Sequence, residues 1–314
     1  MLLQVSSLLL SIAANFDKVA ILCHKEGCDG MLDRWPLDFQ SRVHVFDGAQ
    51  IDPMFTDQVD NVRKTNKVHE FLVTMSHVHV ANTLFTNFTD DETSSYLFLE
   101  EDYEVVQPKE DSGMSLNNSA SNIARFVEND ESWQFLRLGY NPANWQTRTE
   151  ALRCKSSCVC QTVFDGICSI TPGKFGNKAL CWVGSTVGYA VHRRAWPALQ
   201  KLGNCSMVAD IKNFKLSIDN WLPGFSRDYR YWSPVHYLIP GVLYQPVPSR
   251  YLTKSRSREA MEGFASNCVT PFGQSFPSNT STGQLAAKTL SPKKRIKKRD
   301  KKKDRRRHII SQSL

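Results

Sequence analysis

Tyr96-Leu97-Phe98-Leu99 runs directly into Glu100-Glu101-Asp102, and apolar residues resume within Tyr103-Glu104-Val105-Val106. A buried strand that delivers three adjacent carboxylates to its carboxyl end is costly, because like charges repel and each loses hydration. A divalent cation with a taste for hard oxygen ligands, magnesium or manganese, offsets such a cost. In open α/β sheets the carboxyl ends of strands are also where ligands sit. An acidic loop after an ordinary strand is the plainer alternative, so the elements around the segment have to decide between them.

Those elements alternate. Lys18 to His24 is a short apolar run with β-branched positions, followed by turn chemistry at Gly27 and Gly30, and predicts a buried first strand. Residues 31–40 have helical spacing interrupted by Pro36, Val43 to Phe46 predicts a second strand closed by an Asp47-Gly48 turn, and Val68 to Leu84 has helix-like intervals. Tyr96 to Leu99 is then a third strand. Strand, helix, strand, helix, strand is the pattern of a parallel, nucleotide-binding α/β half. Further on, Ile123 to Val127 predicts a helix, Trp133 to Leu138 a strand closed by Gly139, Val187 to Val191 a strand and Arg194 to Leu202 a helix. Residues 141–180 read as loop, and Tyr237-Leu238-Ile239-Pro240 and Val242 to Pro246 are the last ordered signals.

The formal net charge of +8 is not spread over this pattern. Residues 293–307 hold twelve Lys or Arg against Asp300 and Asp304, a net +10, so the remainder of the chain sits near −2. A charge run of this kind is ordinarily a solvated tail, and residues 253–314 predict a low-complexity, disordered segment. It could touch anionic membrane surfaces or other polyanions, or serve as a nuclear address.

At the other end, residues 1–16 contain an apolar run of signal-peptide length with small residues at Ala13 and Ala14, but no Lys or Arg precedes it. A signal or anchor and a helix packed at the domain edge are both open. The chain has nine cysteines, five of them between Cys154 and Cys181, and four N-x-S/T sequons. Together these favour disulfides and an oxidising, secretory compartment. The spacing of Cys154, Cys158 and Cys160 fits zinc frameworks poorly. A nuclear or cytoplasmic location remains the alternative because of the basic tail.

Several separated segments agree with one family. Val19 to Leu32, Arg42-Val43-His44-Val45-Phe46-Asp47-Gly48, Ser76-His77-Val78, Leu97-Phe98-Leu99-Glu100-Glu101-Asp102, Phe135-Leu136-Arg137-Leu138-Gly139, Gly184 to Val191 and Ile218-Asp219-Asn220-Trp221-Leu222 occur in a shared order and spacing. Across roughly residues 18–250 the chain resembles the glycosyltransferase family 25 group, lipooligosaccharide galactosyltransferase-like enzymes related to collagen galactosyltransferases. The resemblance implies a GT-A-like α/β fold with a mixed, mostly parallel sheet flanked by helices. It also implies a nucleotide-sugar-binding domain over 17–252, with a donor half at 17–108 and an acceptor half at 123–252. The family's acidic pattern is Glu-Asp-Asp, and here the middle position is Glu101. The cysteine-rich insertion at 150–181 is a second departure.

What the resemblance implies is a hexosyltransferase that moves a galactose- or glucose-type sugar from a UDP-sugar donor to a glycan or protein hydroxyl, with inversion. A Mn2+ or Mg2+ ion would neutralise charge on the leaving diphosphate. Asp102 is the first metal ligand expected and Glu100 the second, since alternate residues of an extended segment point the same way. His236 would complete the set. Glu101, on the opposite side, joins Ser76 and His77 in binding the donor. Asp219 is the expected base for the acceptor hydroxyl. Plainer roles stand beside each: a packed histidine for His236, a helix cap for Asp219, and a helix N-terminal cap for Ser76 and His77. Two other classes of function remain: a catalytically silent sugar- or nucleotide-binding domain, and a nucleic-acid-associated protein acting through the tail. The near-neutral fold lacks base-stacking motifs and argues against the second.

Overall fold

The computed structural model describes residues 5–23, 28–55, 68–88, 91–106, 116, 118–139, 160–170, 186–208, 218, 235–239, 241–244 and 269–270. The chain divides into two units, Met1–Gln274 and Ser275–Leu314, and every described residue lies in the first. Asp219 and the basic run at 293–307 therefore lie outside the described residues.

The described strands are β1 (Lys18–Cys23), β2 (Val43–Asp47), β3 (Ser95–Glu100), β4 (Glu104–Val105), β5 (Phe135–Arg137), β6 (Cys160–Phe164), β7 (Ile167–Ile170), β8 (Gly188–His192), β9 (Val235–Leu238), β10 (Leu243–Tyr244) and β11 (Val269–Thr270). Nine of them form one sheet in the order β11-β6-β7-β9-β5-β8-β3-β1-β2, and β4 pairs with β10 as a separate ribbon. The helices are α1 (Ser7–Ala13), α2 (Gly48–Ile51), α3 (Val68–Asn87), α4 (Ser119–Asn129) and α5 (Trp196–Val208).

The class is α/β and the sheet is mixed. It is not mostly parallel, however: β1–β2, β1–β3, β5–β9 and β6–β11 are parallel, while β3–β8, β5–β8, β6–β7 and β7–β9 are antiparallel. β8 is the strand that breaks the parallel order, because it enters between β3 and β5 running the other way. The parallel strands β1 and β3 are buried almost throughout and read as near-continuous apolar sequence, whereas β2 at the sheet edge is half-buried beyond Val43.

Strand register assigns the two faces. Residues opposite one another share a face, and successive residues alternate. Tyr96, Phe98, Tyr189, Val191, Arg137 and Tyr237 fall on one face. There α3 and α5 pack: the Tyr96 hydroxyl lies 3.4 Å from Leu84 O, Phe85 sits against Tyr96 and Trp196, and the Trp196 indole donates to Asn82 Oδ1 at 2.8 Å. Leu97, Ala190, Leu136, His192 and His236 fall on the other face. Under it Phe16, at the end of α1, and Phe126 of α4 close around Trp133.

Helix α1 is the apolar N-terminal run. Ser6 caps it by accepting from Leu9 N at 3.2 Å, and Leu9, Ile12 and Ala13 are buried in the core. Arg42 then gathers the carbonyls that follow the helix, donating to Phe16 O, to Asp17 O at 3.3 Å and to Ala14 O at 3.4 Å. Among the described residues no helix is long and apolar enough to cross a membrane.

Three local expectations change for identifiable reasons. Residues 31–40 are not one helix but short 3₁₀ turns, Leu32–Arg34 and Gln40–Arg42, on either side of Pro36, which lacks an N–H and forbids helix before it. Asp47-Gly48 opens α2 instead of a plain turn, because the Asp47 carboxylate caps Ala49 N at 2.8 Å. The stretch read as loop contains the β6–β7 hairpin, turned at Asp165-Gly166 with Gly166 at φ 66°. Its Cys160–Cys168 disulfide joins the two strands, Cα to Cα 5.5 Å, and a second disulfide links Cys23 to Cys28 beyond β1. The Cys160–Cys168 pairing takes the place of a zinc role for Cys160. The fold also extends past residue 252, since β11 adds to β6 at the sheet edge.

Candidate functional site

β1, β2, β3, β5 and β9 all end on one edge of the sheet, and antiparallel β8 begins there. The chain leaves β1 for β2 on one side and returns to β3 on the other. The carboxyl ends of β1 and β3 therefore form the topological switch point, the crevice where ligands bind in open α/β sheets. Glu100-Glu101-Asp102 lies at that point. Glu101 N donates to Leu22 O of β1 at 2.9 Å, and Tyr103 N closes the turn on Glu100 O at 3.2 Å.

β3 stops at Glu100 and residues 101–102 are a turn, so strand alternation does not extend to Asp102. Glu100 instead points to the α3 face, on the parity of Phe98. Its Oε1 lies 3.3 Å from Nε2 of His77 and accepts the Thr186 hydroxyl. On the far side of the imidazole, Nδ1 is 2.9 Å from the Tyr189 hydroxyl. The His77 side chain is 1 % exposed and that of Glu100 18 %, so the network runs from the core to the rim of the switch point.

The roles expected for Ser76 and His77 change accordingly. Both sit mid-helix in α3 and are buried, so neither caps an N-terminus. The Ser76 hydroxyl has no hydrogen-bond partner among the described residues. His236 does not meet the acids. It lies on the opposite face from Glu100, its ring 4.9 Å from Phe126 and its Nε2 3.7 Å from Asp130 Oδ2, and burial lowers its pKa against the opposing pull of Asp130. Glu101 and Asp102 remain at the turn, both half-buried. Among the described residues no three His, Cys, Asp or Glu side chains converge as a metal's donor set.

No family model, curated protein or solved structure matches this chain. The site must therefore be argued from its own residues.

Three of them escaped the sequence reading. Thr186 supplies the second donor to Glu100 from the residues before β8. Arg137 of β5 is fully buried between the registers of Tyr189 and Tyr237, and its charge partly offsets the burial that pushes the Tyr237 phenol up to about 12. An arginine inside Phe135-Leu136-Arg137-Leu138 was the available signal, because a cation is rarely placed in the middle of a buried strand. Thr74, three residues before His77, donates to Glu70 O at 2.7 Å and accepts Ile218 N at 3.0 Å. It thereby docks the buried residue that precedes Asp219 onto the helix carrying His77. Gly139, which closes β5, is required by crowding: a Cβ there would meet Val187 Cγ1 at 2.5 Å and Leu243 O at 2.9 Å.

Proposed function

We propose that this chain is a metal-dependent hexosyltransferase of GT-A-like design, transferring a galactose- or glucose-type sugar from a nucleotide-sugar donor to a glycan or protein hydroxyl with inversion. The observation that carries the reading is the acidic turn at the β1/β3 switch point of a nucleotide-binding type of sheet. Hard carboxylate oxygens suit magnesium or manganese, and the carboxylates of the turn at Glu101 and Asp102 would supply part of such an ion's ligands. Asp102 is the ligand this reading places first. When bound, the ion neutralises charge developing on the departing diphosphate.

The rest belongs to the protein. The acceptor oxygen attacks the anomeric carbon, the bond from that carbon to the diphosphate oxygen breaks, and the hydroxyl proton passes to a carboxylate base. Asp219 is the residue we assign as that base; the residue before it, Ile218, donates its N–H to Thr74 Oγ1 of α3. The two disulfides support a lumenal, oxidising compartment. The tail at 293–307 then serves as a polyanion or membrane-surface contact separate from transfer.

The test is release of nucleotide from a panel of UDP- and GDP-sugars by the full chain, with and without manganese. Metal-dependent release from one donor, reduced about a hundredfold or more in Asp102→Asn, is the expected result, electrostatic stabilisation of this kind having that order of effect. Nucleotide binding without release from any donor would replace the enzyme with a silent binding domain.

A further inference from the structure

We propose that His77 is the positioning residue of the acidic turn. In this assignment the anchored Glu100 carboxylate fixes the tautomer of His77, the Tyr189 hydroxyl satisfies its other nitrogen, and Asp102 is the acid that the turn presents to a cation–diphosphate ligand. Only the last of these statements rests on the glycosyltransferase reading.

The argument begins with what each group can donate. A carboxylate only accepts, so at 3.3 Å from Glu100 Oε1 the His77 Nε2 carries a proton and donates it. In the Nε2–H tautomer Nδ1 is the acceptor, and the Tyr189 hydroxyl 2.9 Å away donates to it. The Thr186 hydroxyl donates to the same oxygen. Two donors on one carboxylate oxygen fix its orientation.

Packing holds the relay in place. The Tyr189 ring stacks on Phe98 at 5.2 Å with 14° between planes, and lies 5.6 Å from the imidazole. His77 comes from the middle of α3, Glu100 from the end of β3, Tyr189 from β8 and Thr186 from just before it. One imidazole thus ties helix α3 to both strands that meet at the ligand-binding edge. With the ring 1 % exposed, water cannot take over its hydrogen bonds. Glu100 is drawn toward the helix instead of toward the two acids that follow it, which eases like-charge repulsion in the turn. An outer partner that orients a carboxylate in this way has the same relation to the site as the groups that orient metal-binding side chains.

The experiment has two readouts on the full chain. Long-range 1H–15N spectra of 15N-histidine-labelled protein, with the His77 signals assigned by their loss in His77→Gln, report the tautomer without any ligand. The wild type should show the Nε2–H form alone, and Glu100→Gln, whose amide can donate as well as accept, should mix the two tautomers. An Nδ1–H form in the wild type, or no change in Glu100→Gln, overturns the proposal. Manganese affinity in the presence of UDP or GDP is the second readout. His77→Gln keeps a side-chain N–H and should stay within about threefold of wild type, whereas His77→Leu should lose about tenfold, the usual scale for an orienting partner. Equal losses in the two variants also overturn it. If the wild type binds neither metal nor nucleotide, the glycosyltransferase reading fails, and the tautomer result still decides the roles of His77 and Glu100.

Discussion

On the face of the sheet under α3 and α5, a buried histidine sits between a phenol and a carboxylate; on the face under α1 and α4, two buried histidines sit among aromatic rings. His77 has an oxygen partner at each ring nitrogen. His192 packs edge-on to Trp133 at 5.2 Å, and its Nδ1 accepts Arg194 N at 3.1 Å. Burial first, and then Arg194, push its pKa down to about 4, against the opposing pull of Asp17 and Asp91. His236, its ring tilted against Phe126, is likewise lowered by burial. The same residue type is therefore part of a hydrogen-bonded relay on one face and a weakly polar core ring on the other. The relay ends at the ligand edge of the sheet, while the aromatic face ends in packing.

The largest effect that separates the two faces should come from Trp133→Ala. This side chain is fully buried among Phe16, Phe126 and His192, and its loss should cost about 3–5 kcal/mol in a denaturant titration. The folded fraction should keep the His77 tautomer of the wild type. A changed tautomer would mean that the faces are not independent.

Acid should also act through the aromatic face. His192 has a folded pKa of about 4 against an unfolded value near 6.5, so between those pH values the unfolded chain binds the extra proton. Stability contributed by neutral His192 is complete above pH 6.5 and is lost as pH falls toward 4, by about 2–3 kcal/mol. Unfolding midpoints measured across that window should fall accordingly. His192→Phe should flatten the curve, and an unchanged slope would place the acid sensitivity elsewhere.

The smallest effect belongs to the polar face. Thr74→Val removes the hydroxyl that binds Ile218 N while keeping the shape, and should cost about 1 kcal/mol. Thr74→Ser should recover most of it. If the transferase reading holds, Thr74→Val should also lower turnover more than it raises the donor KM, because the docked residue adjoins Asp219. A change in KM alone would detach Thr74 from the acceptor side.

Much of the scaffold was legible in the sequence. β1, β2, β3, β5 and β8 are short apolar or β-branched runs that end at charged or turn residues, and α3 declares itself by interval over a length that only a helix fills. The β6–β7 hairpin was missed because cysteines and a polar strand face masked its Asp165-Gly166 turn. The site was legible only in part. The acids announced themselves by their position after a buried strand. Thr186, Arg137 and Thr74 did not, because each takes its meaning from a partner far away in the chain.

By itself, the sequence determined which segments could bury a backbone and where charge had to surface. Those are local properties, set by side-chain period and by the cost of desolvating a carboxylate. The tertiary structure decided the rest. Antiparallel β8 enters beside β3 and brings Thr186 and Tyr189 to Glu100 and His77. The same registers send His236 to the opposite face, where it cannot join the acids. Which face a side chain serves depends on strand register across the sheet. No single strand's sequence carries that register, because it is fixed only when the neighbouring strands pair.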